Sequence, residues 1–227
     1  TTITAPSRAE ENGNIKISPT AIDEMFTTIA SNDFSSSIAT PWSISGNASI
    51  SSGEMQLNPA TNSTVGYLQY TPTGTRPSSF TASFDVKIFK STANTDAIAD
   101  GMSFNYGPYD ATKTGYEDGI VSSGLVIRMK EYQTQRIEIV YDGVVKQSID
   151  VDLHFPSYRK MSIAVTSAGK LTLLLGKQVL ATNVDLGTAY ATDVKSSWIF
   201  AWASRSGGVN NRHAIDNVIL YNNNDVD

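Results

Sequence analysis

No cysteine occurs in this chain of 227 residues, so neither a disulfide framework nor a thiolate nucleophile or metal ligand enters its chemistry. Charge is sparse too: Asp, Glu, Lys and Arg make up 17% of the residues, against about 25% in an ordinary domain. With 17 basic and 22 acidic residues the net charge is -5. It is spread without long runs, which argues against nucleic acid or an anionic membrane as partner. No apolar run approaches the roughly 18 residues of a membrane span, and no signal peptide is visible, so no membrane insertion is expected. Internal repeats are missing. So are the Ser nucleophile motif, the phosphate loop and the Cys/His cluster of the common catalytic and metal chemistries.

What is present is alternation. Phe80, Ala82, Phe84, Val86 and Ile88 alternate with Thr81, Ser83, Asp85 and Lys87, the pattern of a half-buried antiparallel strand. Met161, Ile163 and Val165 repeat it, as do Leu171, Leu173 and Leu175. Asp142-Gly143 and Gly176-Lys177 mark tight hairpins. Trp198 to Ala203 is apolar at every position, which predicts a mid-sheet strand covered on both faces. One stretch has the other period. Ser18-Pro19 is a helix start, and Ile22, Met25, Phe26 and Ile29 share a helical face, so a short N-terminal helix is expected over 19–30. Many short strands separated by turns give an all-β class, an antiparallel β-sandwich, and a chain this long can bury a core without staples. The two ends have linker composition. The expected organisation is a linker over 1–14, one domain over 15–221, and a linker or the start of a following module over 222–227.

Two segments carry candidate chemistry. Ala99-Asp100-Gly101 puts a carboxylate at the mouth of a strand, followed by a glycine that lets backbone or ligand come close. Ser206-Gly207-Gly208-Val209-Asn210-Asn211 lies between two apolar strands late in the chain. Carboxylate oxygens and exposed amides are good partners for hydroxyls, so two such loops at one rim suit a polyol. The long stretch 107–123 adds Tyr109 and Tyr116, each with an apolar face and a hydroxyl. Tyr106 shares the side of Met102 and Phe104 and belongs to the core.

These segments resemble the legume-type (concanavalin A-like) lectin jelly roll. Phe34, Trp42, the run 46–50 and Met55-Gln56-Leu57 look like its opening hairpin, and Ser79 to Phe84 like its back-sheet strand. A closer likeness is to bacterial adhesin-type jelly-roll domains, on the run from Asp100 to Gly107, then Glu117-Asp118-Gly119 and Gly124-Leu125-Val126-Ile127. The resemblance implies a cis Ala99–Asp100 peptide and an extracellular carbohydrate-binding module, secreted or at the cell surface, one domain of a larger adhesin. Its partner would be a glycan or polysaccharide, with neighbouring domains of the same chain beside it. The sugar-binding set would be Asp100, Gly101, Asn105, Tyr109, Gly207, Gly208, Asn210 and Asn211.

The family's metal pair is lost. Where metal-dependent legume lectins carry a Glu and an Asp two residues apart, this chain has Arg128 and Lys130, and two cations on one face repel a divalent ion. No cofactor is therefore expected. A different calcium site would use Asp100, Glu117 and Asp118, unless those acids sit on solvated loop tips. A hydrolase of this fold would need two neighbouring carboxylates. Only Asp150, Asp152 and His154 alternate, about 6.6 Å apart as strand neighbours, and as a solvent-facing strand end they need no function. His213 is expected to be hydrogen-bonded within the rim. Two alternatives to a non-enzymatic sugar binder stay open: a structural or protein-binding adhesin module with a vestigial sugar site, and a glycoside hydrolase.

Overall fold

The computed structural model describes residues 26–89 and 98–223. Their strands stack as two antiparallel sheets. The back sheet runs in the order β13 (Gln178–Asp185), β12 (Lys170–Leu175), β11 (Phe155–Val165), β6 (Phe80–Phe89), β15 (Arg212–Asn223), β4 (Glu54–Asn58), β3 (Ser49–Ser51), with β1 (Phe26–Asn32) also paired to β15. The front sheet runs β10 (Val144–Asp150), β9 (Arg136–Tyr141), β8 (Leu125–Lys130), β7 (Gly101–Pro108), β14 (Trp198–Ser206), β5 (Thr64–Tyr70), β2 (Trp42–Gly46). This is the expected all-β, antiparallel, concanavalin A-like sandwich.

Period-two alternation builds the core. Phe80, Phe84, Val86 and Ile88 of β6 face Phe104 and Tyr106 of β7 and Trp202 of β14, all fully buried. Phe84 meets Trp202 edge-on at 5.7 Å between ring centres, a favoured aromatic geometry. The buried Tyr106 hydroxyl donates to Pro77 O at 2.6 Å, so the ring costs no orphaned polar atom. The apolar run in β14 has two linings. Trp198, Phe200 and Trp202 enter the inter-sheet core. Ile199, Ala201 and Ala203 point outward, into a smaller cluster with Ile120, Val121, Val126 and Val140 beneath the 107–123 segment.

Three expectations are corrected. Residues 26–30, expected in a helix, lie in β1, and residues 19–25 are outside the described residues. β4 pairs with β15 only at 213–215, and β1 takes up the same edge at 218–223. Those ladder bonds outweigh a helical spacing in a Thr-rich segment of modest helix propensity. The described residues do contain a helix elsewhere, α1 (Thr188–Thr192). Asn222 and Asn223, expected in a linker, end β15, where Asn222 pairs with Phe80. The alternation of Asp150, Asp152 and His154 is not a strand: β10 stops at Asp150, and His154 N–H turns back onto Asp152 Oδ1 at 2.8 Å.

Candidate functional site

Register explains why the two candidate loops meet. The antiparallel pairing of β7 with β14 sets Gly101 opposite Arg205, and its pairing with β8 sets Gly101 opposite Lys130. The start of β7, the end of β14 and the end of β8 therefore share one rim. The Ala99–Asp100 peptide is cis, as the resemblance implies. Asp100 N–H donates to Arg205 O at 3.0 Å, and Asp100 O accepts from Glu131 N–H at 3.1 Å. Gly207 lies against the Asp100 carboxylate so closely that a Cβ would stand 2.9 Å from Oδ2, so any side chain there would make the carboxylate shift. Gly101, with φ of 146°, is pressed against Met129 O in the same way. Glycine is required at 101 by its φ and its backbone neighbour, and at 207 it lets the Asp100 carboxylate keep its place.

The carboxylates are already matched with cations. Arg205 Nε lies 3.3 Å from Asp100 Oδ2, and its Nη1 lies 3.3 Å from Glu117 Oε1. Asp118 faces the other way, with Oδ1 at 2.7 Å from Lys130 Nζ and 3.7 Å from Arg128 Nε. Glu117 is buried, which corrects its placement on a solvated loop tip. Burial raises its carboxyl above the usual carboxylate range, the nearby Arg205 pulling the other way. Glu117 Oε2 has no hydrogen-bond partner. The alternative calcium set of Asp100, Glu117 and Asp118 therefore does not fit an ion: a guanidinium stands between the first two, and the third is turned away onto a lysine. Among the described residues no group of three or more His, Cys, Asp and Glu side chains is placed to hold a metal.

Asp100 Oδ1, by contrast, has no hydrogen-bond donor among the described residues, and the side chain is 22% exposed. Beside it a cavity of about 310 Å³ is lined by Ser63, Thr114, Arg205, Ser206 and Gly207. The late loop is tied to the segment before β5. Ser63 N–H donates to Gly207 O at 2.9 Å, Asn62 Nδ2 donates to Gly208 O at 2.9 Å, and Asn210 Nδ2 donates to Asn62 Oδ1. Open space surrounds Gly208.

Two of the expected rim contacts turn inward. Asn105 is fully buried; its Oδ1 accepts Ile120 N–H at 2.9 Å and its Nδ2 donates to Ser103 Oγ at 3.0 Å. It holds the 107–123 segment onto the sheet. Asn211 is also fully buried, with Nδ2 donating to Glu131 Oε2 at 2.7 Å. Both side chains are held inside by hydrogen bonds to backbone and carboxylate groups and are not exposed at the rim.

Tyr109 is exposed as expected, and its ring belongs to a group that the residue pattern did not reveal. Tyr67, on β5, lies 5.6 Å from Tyr109 and 5.7 Å from Tyr116 between ring centres. Its hydroxyl shares a hydrogen bond with that of Tyr109 at 3.2 Å. Tyr67 is opposite Ala203, and Val65, two residues earlier, is opposite Arg205. The three rings therefore continue the Asp100–Arg205–Glu117 line across the same sheet face. Tyr67 alternates correctly in Thr64–Tyr70 for an outward position, but only the folded loop brings it a partner. Asn62 was also missed as a rim element, since Asn62-Ser63-Thr64 shows only a glycan-acceptor pattern.

No protein-family model and no curated protein sequence matches the chain. Solved structures do. The carbohydrate recognition domain of Emp47p superposes with a TM-score of 0.69 at 14% identity, over 88% of this chain and 98% of that one. Lectin II from Ulex europaeus gives 0.66 at 16% identity, over 84% and 96%. The exoplasmic/lumenal domain of VIP36, in a form bound to Ca2+ and mannose, gives 0.65 at 15% identity, over 87% and 91%. The chain has the fold of the L-type lectin domains.

Proposed function

We propose that this chain is an extracellular, non-enzymatic carbohydrate-binding module of lectin type, at work in a secreted or cell-surface adhesin. The single observation that carries it is the Asp100 carboxylate, with Oδ1 unpaired, packed against Gly207, which lines a small cavity with Ser63, Thr114, Arg205 and Ser206. A carboxylate oxygen with no protein donor accepts sugar hydroxyls. The neighbouring glycines remove the side chains that would keep a pyranose away. Tyr109 and Tyr67 then offer ring faces to a second saccharide unit along the same line. Structures similar in fold are described as bound to mannose, Man2 or Man3GlcNAc, which supports a glycan as the partner. Among the described residues no helix is long and apolar enough to cross a membrane. A shallow polar site of this kind gives weak single-site affinity, so repeated modules on one chain would supply avidity.

Titration against a broad glycan panel tests it, with Asp100→Ala as control. Loss of about 1.5–3 kcal/mol of binding, the worth of a charge-assisted hydrogen bond, is expected for the variant. Binding by the wild type that Asp100→Ala leaves unchanged removes Asp100 from the site.

A second reading has its own support. Asp100 Oδ2 is already engaged by Arg205, as in a site retired from ligand binding and kept as scaffold. The same fold includes arcelin-5 from Phaseolus vulgaris, described as a lectin-like defense protein, which superposes with a TM-score of 0.65 at 16% identity over 87% of this chain and 98% of that one. Silence across the whole panel would favour a structural or protein-binding module.

A further inference from the structure

The rim contains a buried carboxylate that takes no part in contacting a ligand. Glu131 follows the last residue of β8, its side chain is fully buried, and three bonds radiate from it. Its backbone N–H holds Asp100 O at 3.1 Å. Its Oε2 accepts Asn211 Nδ2–H at 2.7 Å, and its Oε1 meets His213 Nε2 at 2.5 Å. One residue thus grips the Asp100 loop with its main chain and the 207–211 loop with its side chain. His213 is equally buried, and its Nδ1 meets Asn58 Oδ1 at 2.5 Å. Asn58 Nδ2 donates to Ser206 Oγ at 2.7 Å, and Ser206 Oγ reaches Asn211 O at 3.3 Å or Ala99 O at 3.4 Å. The chain of bonds closes on itself around the rim and joins the back sheet, through β4 and β15, to the end of β14 in the front sheet.

We propose that side chains hold this rim where metal-dependent lectins of the same fold use an ion: Glu131, with Asn211 and His213, clamps the two loops together, and the Arg205 guanidinium fills the space between the Asp100 and Glu117 carboxylates. Three facts converge on it. The residues standing at the family's metal pair are cationic and spent on Asp118 and Glu138. The carboxylates nearest the mouth carry their own counter-ion. The fully buried Glu131 carboxylate is held by Asn211 of the 207–211 loop and by His213 at the start of β15. A buried polar group is costly unless it is hydrogen-bonded, so the clamp forms with both loops in place or fails as a unit. Glu131, Asn211 and His213 are positioning residues: they set the distance between Asp100 and Gly207 without touching what binds there.

Hydrogen exchange read by mass spectrometry tests this with no saccharide present, so its failure is separable from failure of the sugar reading. Peptides covering 98–101 and 205–211 are followed in wild type, Glu131→Ala and Glu131→Gln, each in excess calcium and in chelator, with the β11–β12 hairpin as internal reference. Wild-type rim exchange is expected to be the same in calcium and chelator. Glu131→Ala is expected to speed rim exchange by roughly tenfold or more in both while the hairpin stays protected, because local opening need not pass through global unfolding. Glu131→Gln is expected to stay near wild type: Asn211 Oδ1 has no partner and, on turning its amide, accepts from the new Nε2–H. Should Glu131→Ala not fold, Asn211→Ala cuts one arm alone and is read the same way. Calcium that slows rim exchange in wild type would overturn the proposal. So would a folded Glu131→Ala or Asn211→Ala rim as protected as wild type.

Discussion

Two regions of this molecule are fully buried and have opposite chemistry. Between the sheets, Phe84, Phe104, Phe200 and Trp202 are packed without a polar atom in need of a partner other than Trp202 Nε1, which has none. Under the rim, Asn58, Glu131, Ser204, Ser206, Asn211 and His213 are as deeply enclosed, yet they are joined to one another by hydrogen bonds. The apolar region is non-directional: volume and alternation suffice, and it would survive small adjustments of register. The polar region is directional and tolerates none. It holds the part of the molecule where an error of an ångström between Asp100 and Gly207 would matter.

That contrast can be broken most forcefully from the apolar side. Phe104→Ala removes a ring with no exposure and touches neither loop. It should lower unfolding stability by about 3–5 kcal/mol, measured by denaturant titration, while glycan binding of the still-folded fraction stays at wild-type affinity. Loss of affinity in that fraction would show that the two regions are coupled.

The middle case is Gly207→Ala. Its added methyl would stand 2.9 Å from Asp100 Oδ2 on a half-buried bend. Stability should move by less than about 1 kcal/mol, but Asp100 must shift, and affinity for any glycan found on the panel should drop by roughly tenfold, about 1.4 kcal/mol. A larger stability loss with unchanged affinity would place the strain in the scaffold instead.

The smallest effect sharpens the comparison at the aromatic stripe. The hydrogen bond shared with Tyr67, with burial adding to it, pushes the Tyr109 phenol up to about 12 from the ordinary 10.0. A raised folded value means that this contribution to stability is complete below about pH 10 and is lost as the pH rises through about 12. Tyr67→Phe should bring the Tyr109 ionisation back toward 10, followed by ultraviolet absorbance of phenolate. An unmoved titration would mean that the two hydroxyls do not share a proton.

The sandwich was legible because its signal is local. Every second residue is apolar in β6, in β12 and from Met161 to Val165 of β11, and the continuous apolar run in β14 announced two covered faces, which Phe200 and Ala201 occupy on opposite sides. Asp100 and Gly207 were legible through their loops, and the pairing of β7 with β14 brings them together. Asn105 and Asn211 were misread because an Asn looks the same facing water or facing a buried carboxylate; only long-range pairing decides. Glu131 gave no signal at all. It sits among Lys130, Tyr132 and Gln133 like any turn residue, and its partners lie 80 and 82 positions away. The helical reading of residues 26–30 failed for the opposite reason: a local period was clear, and the vacant edge of β15 overrode it.

The bond between Asn62 and Gly208 O has a practical consequence for anyone preparing this protein. The same nitrogen is the acceptor atom of an Asn-Ser-Thr sequon. A yeast or animal secretory host that decorates it would leave one hydrogen where two now stand, and would plant an oligosaccharide at the mouth itself. Material from a bacterial cytoplasm keeps the entrance clear, so the choice of expression system decides whether a binding assay interrogates the cleft or a sugar of the host's own making.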